Sequence, residues 1–414
     1  MESIFHLQKF AETCLLEINL NNVRLNIENG NNIQIPSEIL KQVPGQTITI
    51  SGRAPLWLYM YTALQLHLAG TKGILLKQAQ ESAVNIVPVA KSKCSDEQFA
   101  VISTFEKTLI CEYLCTRNKK ISPADLSDCL DALPEKEEKY DTLVLSGKMP
   151  IWLAGAAAVD AYKKGWRNIE CFVPQEGCTV AITPAIHSGG KLPQLKSPGI
   201  IIGIIGDPNS GKSVFSELLE QSGNFAGERL WRFDCDYAAP TPNWYLDMLK
   251  QGKKEEGKEL RLSYKRKWIP GAEEELVSDL NNMRKYIPII IADLPGGLHK
   301  DGISQRIPPG REVLLKSVDC FIIVAKKDSL DTGVAWQHEL NTIGKANNIV
   351  LTVYSGDYKS PTTSLTFRDG YWRTNGLSRD AKPASVEIKK QLWQLVMDSI
   401  RSREIPGKSE LDNK

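Results

Sequence analysis

Two stretches of this 414-residue chain, TITISGRAPLWL at Thr47–Leu58 and TLVLSGKMPIWL at Thr142–Leu153, repeat one pattern at a spacing of 95 residues. Both keep Ser-Gly, Pro and Trp-Leu, and Arg53 of the first stretch is matched by Lys148 of the second. Flanking segments repeat at nearly the same spacing, TCLLE with TLICE and AVNIVP with TVAITP (13–17, 108–112, 83–88 and 179–184). Matches before, within and after the motif predict the duplication of a whole domain.

Each copy has the pattern of a small α+β domain. In the first copy the alternation in Thr47–Ile50 predicts a strand, Ser-Gly-Arg a turn, and Trp57–Leu68 an apolar-faced helix. Short apolar runs at Gly73–Leu76 and Ala83–Val87 predict further strands. We expect the tandem copies to pack as an intramolecular pseudo-dimer, over residues 1–92 and 93–185.

The second half of the chain changes to an α/β pattern. Ala185–Gly199 is rich in glycine, proline and serine, which predicts a linker at 186–199. Ile200–Ile205 reads as an apolar strand before a glycine-rich turn and a helix at Ser213–Gln221. Buried strands recur between helical or polar segments, at Leu230–Phe233, Ile287–Ala292, Cys320–Ala325 and Asn348–Tyr354. The alternation predicts a mostly parallel sheet over 200–400, followed by a polar tail at 401–414.

The turn after Ile205 has a phosphate-binding sequence. GDPNSGKS fits G-x-x-x-x-G-K-[ST] at every fixed position, over Gly206, Asp207, Pro208, Asn209, Ser210, Gly211, Lys212 and Ser213. In such a loop the backbone N–H groups point at phosphate oxygens, Lys212 supplies a cation and Ser213 supplies a hydroxyl to Mg²⁺. Because the loop follows a buried strand and opens a helix, the sequence predicts an α/β P-loop NTPase domain.

Acidic residues follow two of the predicted strands. Asp293 ends the run IIIAD, where it is expected to hold the water shell of Mg²⁺ or to orient the attacking group. A helix-capping aspartate is the alternative for this position. Asp234 and Asp236 follow another strand, either as contacts to a metal or phosphoryl acceptor or as an exposed loop pair.

Lys250–Lys267 is a run of mixed charge. It is either a solvated helix face or a lid that reaches the triphosphate through Arg261, Lys265, Arg266 or Lys267. After the strand that ends at Ala325 the sequence has Lys326-Lys-Asp328 and no Asn-Lys-x-Asp guanine clamp. ATP is therefore predicted as the nucleotide, with Mg²⁺.

Composition narrows the class of protein. Lysine plus arginine (51) nearly balance aspartate plus glutamate (49), so no global basic field predicts a duplex DNA partner. The nine cysteines form no C-x-x-C pair, which argues against a zinc site and indicates reduced thiols. No apolar run approaches the length of about 20 residues needed to span a membrane. We expect a cytoplasmic protein that assembles as a homo-oligomer.

The duplicated Ser-Gly-[Arg/Lys]-x-Pro motif exposes backbone N–H groups, a hydroxyl and a cation at a turn between strand and helix. Doubled about a pseudo-twofold axis, it offers two matching anion-binding corners, which suit a cyclic and internally symmetric polyanion. A structural strand–helix corner is the alternative for the motif. Trp57 and Trp152 either stack on a base or, as favoured at a helix start, lie in the core.

Ile50-Ser-Gly-Arg-Ala-Pro-Leu-Trp-Leu and its second copy resemble the signature of the third family of CRISPR-associated ring nucleases, over about Met1–Pro184. In that family a small domain dimerises and cleaves cyclic tetra-adenylate, a messenger of antiviral defence, and some members continue into an AAA-type P-loop domain. The resemblance implies that both motifs contact the cyclic ligand, through Ser51, Gly52, Arg53, Ser146, Gly147 and Lys148.

The catalytic residues of the family transfer less completely. The family uses a histidine near the end of the helix after the signature and an aspartate on the next strand, with manganese. His67 matches the histidine, and with Arg53 it is the implied catalytic group and a possible Mn²⁺ ligand. Its counterpart in the second, degenerate copy is Tyr162. The aspartate positions hold Lys77 or Gln78 in the first copy and Phe172 in the second.

Three hypotheses follow from these features. In the first, the chain cuts cyclic tetra-adenylate to linear di-adenylate, and an ATP-binding domain controls assembly or access. In the second, the chain senses cyclic oligoadenylate with an inactive nuclease half that controls a P-loop ATPase or kinase. In the third, a nucleotide kinase carries an unrelated duplicated domain.

Overall fold

The protein is described here by a computed structural model that covers residues 4–10, 13–20, 25, 33–77, 83–89, 99–114, 121–183, 185–265, 267–300, 303–326, 330–357, 360, 362–368, 370–379 and 382–403. The chain forms two compact units, Met1–Pro193 and Gln194–Lys414. Both sequence copies lie in the first unit, and its boundary falls inside the predicted linker.

Two sheets of matching topology build the first unit. Their strands are β1 (Phe5–Lys9), β2 (Thr13–Ile18), β3 (Thr47–Gly52), β4 (Gly73–Leu76), β5 (Val84–Val87), β6 (Ala100–Phe105), β7 (Thr108–Tyr113), β8 (Thr142–Gly147), β9 (Asn168–Val173), β10 (Cys178–Ala181) and β11 (His187–Ser188). The first sheet has the order β1-β2-β3-β4-β5, and the second β11-β10-β9-β8-β7-β6. In each sheet parallel central strands (β2-β3-β4 and β7-β8-β9) are flanked by antiparallel neighbours.

The helices of this unit are α1 (Ser37–Leu40), α2 (Leu56–Leu68), α3 (Leu126–Asp131) and α4 (Ile151–Lys163), with a 3-10 turn at Pro123–Asp125. The helices α2 and α4 pack against each other, and α4 also contacts β4 and β5 of the first copy. Gly155 permits this approach, since a Cβ at that position would lie 2.4 Å from Leu76 Cδ1. Apolar residues of both copies therefore share one hydrophobic core.

A largely parallel sheet forms the centre of the second unit. Its strands are β12 (Ile200–Ile205), β13 (Leu230–Asp234), β14 (Ile289–Asp293), β17 (Cys320–Lys326), β18 (Ile349–Ser355), β19 (Ser364–Arg368) and β20 (Tyr371–Asn375), with a separate hairpin of β15 (Leu298–Lys300) and β16 (Ile303–Gln305). The order is β13-β14-β12-β17-β18-β20-β19, and only the pairing of β19 with β20 is antiparallel in the described part of this sheet.

The helices of the second unit are α5 (Lys212–Phe225), α6 (Asn243–Lys250), α7 (Lys254–Tyr264), α8 (Ala272–Met283), α9 (Glu312–Lys316), α10 (Leu330–Thr342) and α11 (Val386–Arg401), with a 3-10 turn at Ala346–Asn348. Every residue of β12 is buried, which explains its unbroken apolar sequence, because a parallel strand is covered on both faces. The helices α5 and α11 pack together, and α5 also contacts β13 and β14.

The predicted linker is more ordered than its composition indicated. His187 and Ser188 form the edge strand β11, which pairs with β10 in the second sheet. Farther along, the Leu195 and Gly199 amides donate hydrogen bonds to carbonyls in the segment after α8, at 2.8 Å and 2.7 Å. Glycine and proline content predicted irregular backbone, but it did not predict these hydrogen bonds to residues distant in sequence.

In the described part of the chain, none of the helices has the length and apolar character needed to cross a membrane.

Candidate functional site

The predicted P-loop lies between β12 and α5, at the carboxyl edge of the sheet. A Cβ at Gly206 would lie 2.1 Å from the Val324 carbonyl oxygen, so only glycine allows the loop to pass the neighbouring strand this closely. Gly211 has a φ of +96° where it caps α5, a left-handed conformation that favours glycine. Two fixed glycines of the motif thus have a backbone requirement in this structure.

Lys212 begins α5 inside this loop. Its Nζ donates to the Asp207 carbonyl oxygen at 3.3 Å. Burial lowers the pKa of the Lys212 ammonium, and the Asp293 carboxylate opposes that shift. Within the described ranges no carboxylate lies at ion-pair distance from Nζ. A buried cation with this incomplete pairing favours an incoming phosphate.

Asp293 ends β14, directly beside the strand that leads into the P-loop. Its side chain is nearly inaccessible, and its Oδ2 accepts from Arg232 Nη2 at 2.5 Å and from Ser216 Oγ at 3.2 Å. The described residues give Oδ1 no hydrogen bond. Ser213 is one turn of α5 before Ser216, so the two residues predicted to hold Mg²⁺, Ser213 and Asp293, lie on adjoining elements, and Asp293 is ion-paired with Arg232.

The Asp207 side chain forms hydrogen bonds with residues outside the P-loop. Its carboxylate accepts from Arg306 Nε and Nη2 at 3.0 Å and 3.1 Å and from Trp336 Nε1 at 2.9 Å. Asp207 thereby joins the P-loop to the segment after β16 and to α10. Any contact of this residue with a phosphate would come from its backbone.

The remaining P-loop residues are compatible with an anion. Asn209 has a φ of +60°, and Pro208 precedes it in the loop. Ser210 is buried, and its Oγ has no hydrogen-bond partner among the residues that the structure describes. A buried hydroxyl without a partner costs free energy, so a bound phosphate that accepts from it would stabilise the loop.

Asp234 and Asp236 organise the loop after β13. The two oxygens of Asp234 accept from the amides of Asp236, at 3.0 Å, and of Thr241, and Asp236 accepts from the Ala239 amide at 3.0 Å. Burial raises the pKa of the Asp234 carboxyl to about 7, and the charge of Asp293 contributes to that rise. The two residues do form a loop pair, but not the exposed pair that was one alternative, because neither residue is exposed. Both carboxylates also act to raise the pKa of Lys212.

We define the signature turns as Ser51–Arg53 and Ser146–Lys148; each lies at the carboxyl end of the central strand of its own sheet. Gly52 and Gly147 have φ values of +119° and +104°. A Cβ at either glycine would lie 2.1 Å from a carbonyl oxygen of the neighbouring strand, that of Ile18 or Tyr113. The close approach to a strand makes glycine necessary at both positions.

The polar members of the two turns differ in exposure. Arg53 is exposed and Lys148 is half-buried, whereas Ser51 is half-buried and Ser146 is buried. The tryptophans at the starts of α2 and α4, Trp57 and Trp152, are each only 2% exposed. They belong to the core, as favoured from their position, and are not available to stack on a base.

His67 lies in the last turn of α2, far from the turn of its own copy. Eleven residues of helix separate it from Leu56, an axial distance of about 16 Å. Burial lowers the pKa of the His67 imidazole, and the charge of Lys163 at the end of α4 lowers it further. The structure therefore does not bring His67 and Arg53 of one copy together.

The other positions implied for metal-dependent cleavage do not supply ligands. Tyr162 is covered by the Arg167 guanidinium at 4.0 Å, Phe172 is buried, and Lys77 is exposed. Gln78 lies outside the described residues. Across the described ranges no group of three or more His, Cys, Asp or Glu side chains is placed to hold a metal. The described surroundings of His67 do not fit a Mn²⁺ site.

We expect the His67 ring to titrate below the ordinary histidine pKa of about 6.5 in an NMR pH titration. Lys163→Met should raise that midpoint by removing a nearby positive charge, while burial still holds it down. Because the folded state binds this proton less readily than the unfolded chain, the unit should lose stability as the pH falls below about 6.5. His67→Gln identifies the resonance, and a midpoint above the ordinary value would contradict the prediction.

Several residues of the P-loop site were not anticipated from the sequence. Arg232, Arg306 and Trp336 contact the predicted acidic residues but stand outside any motif. Arg232 lies on β13, which pairs with the strand that carries Asp293, so strand pairing was the one available signal. Which residues are neighbours across two paired strands can be assigned only once the strand order is known.

Comparison with known proteins gives one partial match. Residues 114–190 match the model of a protein family described as CRISPR-associated protein (Cas_csx3). The match includes the second signature turn and α4, in the copy that was expected to be degenerate. A search of curated proteins finds nothing that matches the chain. This segment, less than half of the chain, is therefore similar to a family of CRISPR-associated proteins.

Proposed function

We propose that the first unit binds cyclic tetra-adenylate at its signature turns and that the second binds ATP with Mg²⁺. The observation that carries the first proposal is the recurrence of one cationic turn, with one glycine geometry, in two sheets of matching topology. A ring of four equal nucleotides presents the same phosphates twice about a twofold axis, which suits two equivalent cations. The partial match to a CRISPR-associated family supports this choice of ligand.

Cleavage of the ring to linear di-adenylate would begin with in-line attack of a ribose 2′-oxygen on the adjacent phosphorus. The bond between the 2′-oxygen and phosphorus forms, the bond from phosphorus to the 5′-oxygen breaks, and the 5′-oxygen takes up a proton. His67 is the candidate acceptor of the 2′-hydroxyl proton, because its lowered pKa keeps the imidazole neutral at pH 7. Arg53 and Lys148 would stabilise the charge on the phosphate.

This chemistry requires two copies of the chain. Within one chain, the helix α2 separates His67 from the turn that contains Arg53. A histidine from another copy would have to reach a ring held at the signature turns, in agreement with the expected homo-oligomer. Cleavage should then depend on protein concentration more steeply than ring binding does.

A sensor that binds the ring without cutting it is the second candidate. The described residues around His67 do not fit the manganese that the ring-nuclease family uses. Tyr162 and Phe172 also occupy the positions where the second copy would need a histidine and an aspartate. In this form, ring binding would control the ATP-binding unit.

The order of strands bears on the type of P-loop unit. The strand that ends at Asp293 is the direct neighbour of β12, whereas an AAA-type domain places another strand between them. We therefore propose a P-loop ATP-binding unit that is not of AAA type. This strand order leaves both ATPase and kinase open, because a fold does not determine the reaction.

Arg53→Ala and Lys148→Ala should each weaken binding of cyclic tetra-adenylate about tenfold, since each removes a charged contact to phosphate. The double variant should bind about a hundredfold more weakly if the two contacts are independent. Isothermal titration measures the affinity. Lys72→Ala is the control, because this exposed lysine lies at the opposite end of the first sheet.

Product analysis then separates the two candidates. Cleavage by the wild type, lost in His67→Ala and in the double turn variant but restored when the two are mixed, supports a nuclease that works across copies. Ring binding without product supports the sensor. No binding of the ring by the wild type contradicts both.

A further inference from the structure

Two arginines cover one buried tyrosine ring beside the P-loop. Tyr245 on α6 is only 3% exposed. The guanidinium of Arg261 lies 5.1 Å from the ring centroid and that of Arg379 lies 5.5 Å from it. Arg379 Nη1 also donates to Tyr245 Oη at 3.3 Å. The aromatic ring of Tyr245 therefore brings two cationic side chains together in the second unit.

These two cations have no carboxylate partner in the described parts of the chain. Arg261 is anchored by the loop after β13, since it donates to the carbonyls of Ala239 and Pro240 at 2.8 Å and 2.9 Å. Burial lowers the pKa of its guanidinium and the charge of Arg379 adds to that effect, whereas the charges of Tyr245, Asp236 and Asp234 oppose it. Like charges held close together in a half-buried place are costly unless an anion binds between them.

The arginine pair lies at the same edge of the sheet as the P-loop. Leu377, two residues before Arg379, is the closest neighbour to a Cβ built on Gly211, at 3.1 Å. Arg261 bonds to the loop that begins with Asp234 and Asp236, whose charges act on Lys212. Ligands of open α/β sheets bind at this carboxyl edge.

An aromatic cluster adjoins the same loop. Tyr237 follows Asp236 directly, and its ring lies 5.6 Å from that of Trp268. The Arg311 guanidinium covers Trp268 at 3.7 Å, and the Trp268 Nε1 is buried with no acceptor among the described residues. Aromatic rings and a buried donor near a cationic pair are features that bind a nucleobase attached to a phosphate.

We propose that Arg261 and Arg379 bind the terminal phosphate of a nucleotide and that the P-loop unit transfers the γ-phosphoryl group of ATP to it. The acceptor is a nucleoside monophosphate or a short oligonucleotide with a terminal phosphomonoester. This inference rests on the ATP site of the proposed function. The helices α6 and α7, which carry Tyr245 and Arg261, lie between β13 and β14 in the chain and form the acceptor side of the site.

The transfer is balanced without a further reactant. An oxygen of the acceptor phosphate attacks the γ-phosphorus and forms a new oxygen–phosphorus bond. The bond between the γ-phosphorus and the β–γ bridging oxygen breaks, ADP leaves, and the acceptor becomes a diphosphate. The arginines neutralise the acceptor phosphate, which otherwise repels ATP.

The test uses the full chain with Mg²⁺ and γ-labelled ATP. The acceptors are AMP, GMP, CMP and UMP, and linear di-adenylate with a 5′-phosphate. We expect at least one of them to become a labelled diphosphate. Arg379→Ala should raise the dissociation constant of that acceptor by about tenfold or more while ATP affinity stays within about twofold, whereas Lys212→Ala should do the reverse. Arg403→Ala, at an exposed position beyond α11, is the control and should change neither affinity.

Other outcomes overturn the inference in distinguishable ways. ATP binding without any labelled diphosphate would refute the acceptor site alone. An equal loss of ATP and acceptor affinity in Arg379→Ala would place this arginine in the ATP site and also refute it. Failure of the wild type to bind ATP would refute the proposed ATP site together with the transfer. Arg379→Lys keeps the charge and checks the fold, since it should recover part of the acceptor affinity.

Discussion

Lys212→Ala is expected to reduce the affinity for ATP with Mg²⁺ by about a hundredfold or more. The wild-type ammonium is buried inside the P-loop and has only the Asp207 carbonyl oxygen as a hydrogen-bond acceptor in the described structure. Bound phosphates supply the negative charge that this cation lacks, so its removal eliminates the strongest electrostatic contact of the site. Isothermal titration with ATP and Mg²⁺ measures the loss.

The folded state should tolerate this change, since a buried ammonium with lowered pKa is itself costly to keep. We therefore expect the thermal midpoint of Lys212→Ala without nucleotide to equal or exceed that of the wild type. Lys316→Ala is the matched control, because this exposed lysine ends α9, outside the P-loop. Unchanged ATP affinity in Lys212→Ala would contradict the P-loop assignment, and unchanged binding of cyclic tetra-adenylate would show that the units bind their ligands independently.

The sequence predicted five strands of the second unit, β12, β13, β14, β17 and β18, and all of these except β13 are largely buried apolar runs. The predicted strand at Ile200–Ile205 has the same bounds in the structure, and the one predicted at Ile287–Ala292 is shifted to Ile289–Asp293. The two final strands were not predicted, because Ser364–Arg368 and Tyr371–Asn375 are polar and partly exposed. Hydrophobic patterning detects only strands that are covered on a face.

The side-chain contacts around the P-loop could not be predicted from the sequence, for a different reason. A motif specifies what lies within its own eight residues, such as Lys212 and Ser213. The partners of Asp207, Arg306 and Trp336, are 99 and 129 residues later in the chain, and Arg232, which pairs with Asp293, lies on another strand. Such contacts depend on the order of strands, which the alternation of strands and helices does not determine.

The signature turns show how a repeated residue can have two explanations. The resemblance implied ligand contacts for Gly52 and Gly147, and the structure gives both a backbone requirement of their own. For the cations Arg53 and Lys148, the first of which is exposed, the resemblance implies contacts to the phosphates of the ring. The functional prediction therefore rests on the charges of Arg53 and Lys148, whereas Gly52 and Gly147 provide the backbone conformation of the turns.

Gly147→Ala is accordingly expected to destabilise the first unit by about 3 kcal/mol or more. The new Cβ would lie 2.1 Å from the Tyr113 carbonyl oxygen, in a backbone with a φ of +104°. Either the end of β8 moves away from β7, which breaks their pairing, or the turn changes its conformation and displaces Lys148. Urea unfolding of the full chain, followed through the transition of this unit, measures the change.

Gly45→Ala separates the steric effect from the strain of the backbone. Gly45 also has a positive φ, +73°, but a Cβ there meets nothing within 4 Å. This control should lose only about 1 kcal/mol, the ordinary cost of a left-handed alanine. Equal losses in the two variants would mean that β8 yields to the new methyl group at no cost, and the signature glycine would then have to be explained by the ligand. A larger loss in Gly147→Ala, with weaker binding of the ring, supports a turn whose backbone positions Lys148.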